Sequence, residues 1–155
     1  MKVIVTGATG FLGANLVREL LSRGYDVECV IRKPNSLVEG LDVVLHTIPL
    51  RDEPGPVESL SKIMQGAYGV YHLAGLFDPS PGGEDRMRNL HIFGTRALLR
   101  AAEKAKVQRF LTCSSSVTVC FGDLNSPGVE EQWFDPTPVY GATGPLRTYY
   151  NSKLQ

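Results

Sequence analysis

The sequence predicts an α/β fold in which about five parallel strands form a doubly wound sheet. Short apolar segments rich in β-branched residues alternate with longer segments whose apolar residues recur at helical spacing. Strict alternation of this kind favours a parallel sheet with helices on both faces. A glycine-rich segment, Thr6 to Gly13, also separates the first predicted strand from the first predicted helix. The chain has 155 residues and no visible domain boundary, so we expect a single domain.

The predicted strands are short and end at glycine, proline or turn residues. They are Lys2–Thr6, Asp26–Arg32, Asp42–Thr47, Gly69–Ala74 and Val107–Cys113. Apolar residues at helical spacing predict helices from Leu12 to Leu21, over Val57–Gln65, over Glu84–Lys104 and from Arg147 onward. The stretch from Phe121 to Thr148 is rich in proline and glycine, so we expect it to be mostly loop.

The composition argues against several classes of protein. Lys plus Arg number 16 and Asp plus Glu number 16, so the formal net charge is zero, unlike that of a basic nucleic-acid-binding or membrane-surface protein. No stretch approaches the roughly 20 apolar residues of a bilayer span. Gly7 also interrupts the N-terminal apolar run before it reaches the length of a signal peptide. We therefore expect a cytoplasmic protein.

The pattern of cysteines favours buried free thiols over disulfide bonds. There are three, Cys29, Cys113 and Cys120, without a C-x-x-C pair, which argues against a disulfide framework and against a cysteine-based zinc site. Cys29 and Cys113 fall in predicted strands, so we expect both to be buried. No His, Cys and carboxylate side chains have metal-ligand spacing, and no metal is predicted.

The sharpest motif is the segment Thr6-Gly7-Ala8-Thr9-Gly10-Phe11-Leu12-Gly13. Gly7 would allow a tight turn, Gly10 would let the backbone approach a pyrophosphate, and Gly13 would let the helix pack closely on the strand. The unpaired N–H groups at the start of the helix would then face the phosphates. The alternative is an ordinary glycine-rich turn between a strand and a helix.

This loop, with two residues between its first two glycines, resembles that of the extended short-chain dehydrogenase/reductase family. The similar members are the dihydroflavonol-reductase-like, 3β-hydroxysteroid-dehydrogenase-like and sugar-nucleotide-epimerase-like enzymes. Four further segments resemble family motifs: Tyr71–Gly75, Phe93–Thr95, Arg109–Ser116 and Tyr149–Lys153. The resemblance spans the chain and implies a Rossmann-type NAD(P)-binding domain over residues 1–155.

The resemblance also implies which residues bind the cofactor. The loop would contribute Gly7, Thr9, Gly10, Phe11, Leu12 and Gly13, and the turn after the fourth strand would contribute Leu73, Ala74 and Gly75. Tyr149 and Lys153 would contact the cofactor as well as the substrate.

Arg32 bears on which dinucleotide is bound. In an NAD site an acidic residue ends the second strand and bonds the ribose 2′-hydroxyl, whereas an Arg meets the 2′-phosphate of NADP. This strand ends at Ile31-Arg32-Lys33, and the nearest acids, Asp26 and Glu28, lie at its start or interior. A guanidinium can bind a phosphate through two parallel bonds. We predict NADP with NAD possible; the alternative for Arg32 and Lys33 is a solvated strand end.

The resemblance assigns the catalytic set to Ser115, Tyr149 and Lys153. Tyr149 would exchange a proton with the substrate oxygen, and Ser115 would orient that oxygen, with Ser116 as the alternative serine. Lys153 lies four residues after Tyr149, on the same helix face, where its positive charge would favour the tyrosinate. His91 stands where the family usually has Asn; it is either a structural histidine or a replacement in holding a water near the lysine.

Three functions remain open on the sequence. The first is an NADP-dependent oxidoreductase that transfers a hydride between the nicotinamide and a carbonyl or secondary alcohol. The second is a sugar-nucleotide epimerase or dehydratase that retains its NAD(P), and the third is a non-catalytic dinucleotide-binding module. Family members are about twice as long, so we expect a truncated chain that lacks the C-terminal substrate-binding portion and has little activity alone. We also expect the exposed edge of the fifth strand to promote self-association.

Overall fold

A computed structural model describes residues 1–33, 35–118 and 145–154. The chain divides into two compact units. The first comprises Met1–Gly75 and Phe93–Cys113, and the second comprises Leu76–Ile92 and the described residues from Ser114 onward. The predicted loop from Phe121 to Thr148 falls largely outside the described residues, as does Cys120.

The first unit contains a parallel sheet of five strands in the order β3-β2-β1-β4-β5. The strands are β1 (Lys2–Thr6), β2 (Asp26–Ile31), β3 (Val43–Thr47), β4 (Gly69–His72) and β5 (Arg109–Thr112). The chain runs outward from β1 in one direction through β2 and β3, and in the other through β4 and β5. This order confirms the predicted doubly wound sheet and puts the switch point, where such folds bind ligands, between β1 and β4.

Alternate residues of β1 enter two different cores, as the two-residue period of a strand requires. Ile4 packs with Leu60, Met64 and Leu98 on one face of the sheet. Val3 and Val5 pack with residues of the first helix, including Val17 and Leu20, on the other face. Helices therefore cover both faces of the sheet at β1, which explains the continuous apolar run of this strand.

The helices are α1 (Phe11–Ser22), α2 (Pro54–Met64), α3 (Gly83–Arg88), α4 (Thr95–Lys104) and α5 (Pro145–Leu154). Helix α2 begins three residues earlier than predicted because Pro54 occupies its first turn, where a proline has no intrahelical bond to lose. The predicted helix Glu84–Lys104 contains a π-helical segment, Asn89–Gly94, between α3 and α4. Such segments often occur at functional sites.

The prediction that both strand cysteines are buried is half wrong. Cys29 is buried in β2, and burial raises the pKa of its thiol to about 11. Cys113 is exposed because β5 ends at Thr112 and pairs with β4 on one side only among the described strands. Among the residues the structure describes, no helix is long and apolar enough to cross a bilayer.

Candidate functional site

The glycine loop lies in the first unit, where β1 passes into α1. Gly7 has a φ of +72°, and a Cβ there would stand 2.6 Å from the backbone nitrogen of Ala74. A Cβ on Gly13 would collide with the carbonyl oxygen of Gly7 and lie 2.9 Å from the Cα of Ala8. Both positions therefore require glycine, because the obstacle is backbone that cannot move aside.

The start of α1 is open to a ligand. Gly10 is exposed, no side chain caps the helix, and the Gly10 N–H donates to the Gly7 carbonyl across 3.0 Å. Phe11 is 89% exposed and Leu12 is 55% exposed. The first N–H groups of a helix lack intrahelical partners and carry its positive dipole end, so this terminus suits a phosphate.

The turn after β4 is held beside the glycine loop by a buried network. His72 is buried, and its Nδ1 lies 2.7 Å from Thr6 Oγ1 while its Nε2 lies 2.9 Å from Thr95 Oγ1. Thr6 Oγ1 also accepts the Ala74 N–H at 3.3 Å, and the Thr6 carbonyl accepts the Leu73 N–H at 3.2 Å. Thr6 thereby fixes both Leu73 and Ala74, and Gly75 follows them on the exposed side.

Arg32 is exposed directly after β2, at the same carboxyl edge of the sheet as the glycine loop. The acids of β2 are engaged elsewhere. Glu28 bonds His46 at 2.6 Å and Lys2 at 3.3 Å, and Asp26 pairs with the N-terminal ammonium at 3.0 Å. No carboxylate follows in the sequence until Glu39. The end of β2 therefore carries positive charge only.

The loop beyond Arg32 is tied back to α1. Arg18 donates one guanidinium N–H to the Leu37 carbonyl at 3.0 Å and another to the Ala14 carbonyl at 3.0 Å. The Asn35 side chain accepts the Leu37 N–H at 2.9 Å. Arg18 thus fixes the path of the chain after Arg32, a role that the helical periodicity of α1 did not indicate.

The predicted catalytic residues share the second unit. Helix α5 carries Tyr149 and Lys153 one turn apart, and it packs against the 3₁₀ turn Ser116–Thr118 that follows Ser115. Ser115 is half-buried, and its carbonyl accepts the backbone N–H of Thr118 at 3.0 Å and the Thr118 hydroxyl at 2.7 Å. Ser116 is exposed.

The Tyr149 ring contacts the rings of Phe77 and His91, both in the second unit. Its centroid lies 5.6 Å from that of Phe77 at 89° and 5.6 Å from that of His91 at 77°. Edge-to-face pairs of this kind fix ring orientation. Neither Phe77 nor His91 could be matched to Tyr149 from sequence spacing, because about 70 and 60 residues separate them.

His91 is 7% exposed and bonded at both ring nitrogens. Its Nε2 accepts the Leu76 N–H at 3.0 Å, and its Nδ1 lies 2.8 Å from Ser152 Oγ. Ser152 Oγ donates to the Tyr149 carbonyl at 2.8 Å. Burial and then the positive charge of Lys153 lower the pKa of His91 to about 4. In the described part of the chain, no three His, Cys, Asp or Glu residues are grouped to hold a metal.

The sheet order, the glycine loop at its switch point and the residues around it define a dinucleotide-binding α/β protein. The chain belongs to the NAD dependent epimerase/dehydratase family, whose model matches residues 3–155. This confirms the resemblance to extended short-chain dehydrogenases/reductases, an NAD(P)-dependent group.

Similar proteins are known from several organisms. Over 150 residues the chain is 33% identical to "Sterol demethylase protein B" of Methylococcus capsulatus, and it is 31% identical over 164 residues to "Dihydroflavonol 4-reductase" of Gerbera hybrida. The matches cover 96% and 97% of this chain and 44% of each relative. The chain therefore spans less than half the length of these relatives.

A solved structure of a short-chain dehydrogenase/reductase superfamily protein from Agrobacterium tumefaciens, which holds NAD, is 25% identical. It superposes with a TM-score of 0.71 over 99% of this chain and 42% of its own length. The fold predicted from the sequence is thus the fold of a known NAD-binding protein.

Proposed function

We propose that this chain carries the cofactor-binding and proton-transfer residues of an NADP-dependent oxidoreductase, which moves a hydride between the nicotinamide and a carbonyl or secondary alcohol. One observation carries the proposal above all. Ser115 lies more than thirty residues before Tyr149 and Lys153 in the sequence, and the helix of Tyr149 and Lys153 packs on the turn that follows Ser115. The dihydroflavonol 4-reductase names of similar proteins support a reductase.

The glycine loop fits a dinucleotide on the evidence of its own backbone. A Cβ at Gly7 or Gly13 would strike neighbouring backbone, and the start of α1 presents exposed backbone next to Gly10. Gly7, Thr9, Gly10, Phe11, Leu12 and Gly13 would hold the pyrophosphate, and Leu73, Ala74 and Gly75 would line the neighbouring turn. A bound nicotinamide would supply or accept the hydride.

The side chains of the second unit supply the proton chemistry. In the reducing direction, the Tyr149 hydroxyl gives its proton to the substrate oxygen, which becomes the alcohol oxygen, and the phenolate regains a proton from water. The Lys153 ammonium lies one helical turn away and stabilises that phenolate by its charge. Ser115 donates a hydrogen bond that orients the substrate oxygen.

The preference for NADP rests on Arg32. Its guanidinium is exposed after β2, and both acids of β2 already have cationic or histidine partners. A 2′-phosphate would meet positive charge there, whereas the ribose 2′-hydroxyl of NAD would find no carboxylate from Arg32 to Val38.

A nucleotide titration tests the proposal. We expect NADPH to bind the chain at least about tenfold more tightly than NADH, because a phosphate–guanidinium contact adds roughly 1.5–3 kcal/mol. Arg32→Ala should remove most of that difference while leaving NADH binding unchanged. Lys106→Ala, an exposed cation on another loop of the first unit, is the matched control. Tighter binding of NADH by the unaltered chain would contradict the NADP preference.

The family description favours a second candidate, an epimerase or dehydratase that keeps its cofactor bound through a turnover cycle. Release of oxidised cofactor in proportion to substrate consumed distinguishes the oxidoreductase from this alternative. For either reaction, Tyr149→Phe should abolish most turnover and leave nucleotide affinity intact.

A further inference from the structure

The proposed role of Tyr149 and Lys153 requires that their helix be held in one rotational setting. Helix α5 has ten residues, and a helix of that length is marginal without tertiary contacts. Ser152 lies between the two functional residues in sequence and is 4% exposed. Its hydroxyl is therefore placed to anchor the helix to the rest of the second unit.

The hydrogen atoms of the bond between His91 and Ser152 can be assigned from the other hydrogen-bond partners of these two side chains. The backbone N–H of Leu76 can only donate, so the Nε2 of His91 must present a lone pair. The Tyr149 carbonyl can only accept, so the Ser152 hydroxyl hydrogen points to it and the Ser152 oxygen is left to accept from His91. The proton of the neutral imidazole is thereby assigned to Nδ1, and every donor in the chain of bonds has an acceptor.

A charged imidazole would break this arrangement. A second ring proton on Nε2 would face the Leu76 N–H, two donors with no acceptor between them. Burial and the charge of Lys153, which both disfavour the imidazolium, lower the pKa of His91 to about 4, so the neutral form persists across the physiological range.

We propose that His91 is the positioning residue of the active site: its neutral ring fixes helix α5 through Ser152 and packs against the ring of Tyr149. The inference rests on the proposed function of Tyr149 and Lys153. His91 itself does not exchange a proton with substrate, because both of its nitrogens are used within the protein.

Two amide substitutions distinguish the role of the imidazole Nδ1 from the role of Nε2. The amide of Asn reaches the position of the imidazole Nδ1, and the amide of Gln reaches the position of Nε2. His91→Asn therefore keeps a donor for Ser152, whereas His91→Gln keeps an acceptor for Leu76 and gives up the bond to α5. Ser152→Ala removes the same bond from the other side and deletes only a hydroxyl.

Nuclear magnetic resonance of the 155-residue chain tests the inference without any need for turnover. With only three histidines in the sequence, long-range proton–nitrogen spectra can resolve each ring. We expect His91 to be the Nδ1–H tautomer with a titration midpoint of about 4. The ring signals of carbon-labelled Tyr149, assigned by their loss in Tyr149→Phe, should move in His91→Gln and Ser152→Ala and stay near their original positions in His91→Asn.

His46→Gln is the matched control, because it replaces a histidine of the first unit and should leave the Tyr149 signals in place. An Nε2–H tautomer for His91, or Tyr149 signals that do not move in Ser152→Ala, would overturn the inference. Ser152→Ala keeps the test valid should His91→Gln fail to fold.

Turnover adds a second readout. Where the chain reduces a carbonyl substrate, we expect kcat to fall about tenfold or more in His91→Gln, since misplacement of a reacting group is costly, with the affinity for NADPH unchanged and with rescue in His91→Asn. Absence of nucleotide binding or turnover in the unaltered chain would contradict the proposed function and leave the tautomer measurement unaffected.

Discussion

The region around the glycine loop and the region around Tyr149 each contain a buried histidine, but the two histidines work under different constraints. His72 lies between the hydroxyls of Thr6 and Thr95. His91 lies between a backbone N–H and the hydroxyl of Ser152. A hydroxyl can donate or accept, so the partners of His72 allow either neutral tautomer, whereas the amide facing His91 allows only one.

The two regions also differ in the contacts that hold their residues in place. In the first unit, Thr6 and His72 end neighbouring paired strands, and the glycine loop is confined by backbone contacts. The histidine there adds to an arrangement that the sheet already determines. In the second unit, helix α5 packs on α3 and on the turn Ser116–Thr118, and His91 adds a bond to Ser152 and a ring contact with Tyr149. Loss of His91 should therefore disturb the second region more than loss of His72 disturbs the first.

The largest effect that we expect comes from breaking the backbone geometry of the first region. In Gly13→Ala the new Cβ would collide with the Gly7 carbonyl oxygen and lie 2.7 Å from the Gly7 carbonyl carbon. We expect the free energy of unfolding to fall by about 4 kcal/mol and nucleotide binding to be lost. Urea unfolding measures the first and nucleotide titration the second.

Gly55→Ala provides the control for that substitution. Nothing lies within 4 Å of a Cβ at Gly55, so its effect should stay within about 1 kcal/mol of zero. Equal stabilities for the two alanine variants would show that the contact at Gly13 is not a constraint on the loop.

The next effect concerns the charge state of the histidine in the second region. The pKa of His91 is lowered from its ordinary value of 6.5 to about 4, first by burial and then by Lys153. Below pH 6.5 the unfolded chain therefore takes up a proton that the folded chain refuses until about pH 4. Stability must fall with pH across that window, by up to about 3 kcal/mol at its lower end.

Urea unfolding at a series of pH values measures this loss. Carboxylates titrate in the same range. The informative quantity is therefore the free energy of unfolding of the unaltered chain minus that of His91→Asn, and this quantity should fall as the pH falls. A difference that is constant from pH 7 to pH 4 would mean that His91 has the same pKa in the folded and unfolded states.

The contrast between the two regions also explains what the sequence could predict. Five strands, the strand–helix alternation that favours a doubly wound sheet and the glycine loop follow from local patterns, since β-branched runs, helical spacing and Gly7 each act over a few residues. Helix α5 was expected from Arg147 onward and begins at Pro145. The assignment of Ser115, Tyr149 and Lys153 as catalytic, and the choice of Ser115 over Ser116, stay predictions.

The contacts that periodicity could not reveal are those between side chains distant in sequence. The Thr6–His72–Thr95 network joins residues 66 and 23 positions apart, and the His91–Ser152 bond joins residues 61 positions apart. Each depends on tertiary packing. For His91, the one available signal was its place three residues before Gly94, which left open whether it was structural or held a water. The exposure of Cys113 escaped prediction because the apolar run Val107–Cys113 was assigned to one buried strand, whereas β5 ends at Thr112.

The smallest effect that we expect tests whether the hydroxyls around His72 are required. Thr6→Val has nearly the same shape, but it removes the oxygen that partners His72 Nδ1 and accepts the Ala74 N–H. Thr6 is fully buried, so water cannot replace that oxygen without a cavity, and we expect a loss of about 2 kcal/mol in the free energy of unfolding.

Thr6→Ser keeps the oxygen and removes only a buried methyl group, so its cost should be nearer 1 kcal/mol. Because Thr6 holds Ala74 beside Gly7, the valine variant should also bind NADPH more weakly than the serine variant does. If valine and serine at position 6 gave the same stability and the same affinity, the sheet alone would suffice to place the turn after β4. His72 would then contribute even less to the placement of this turn than the comparison with His91 implies.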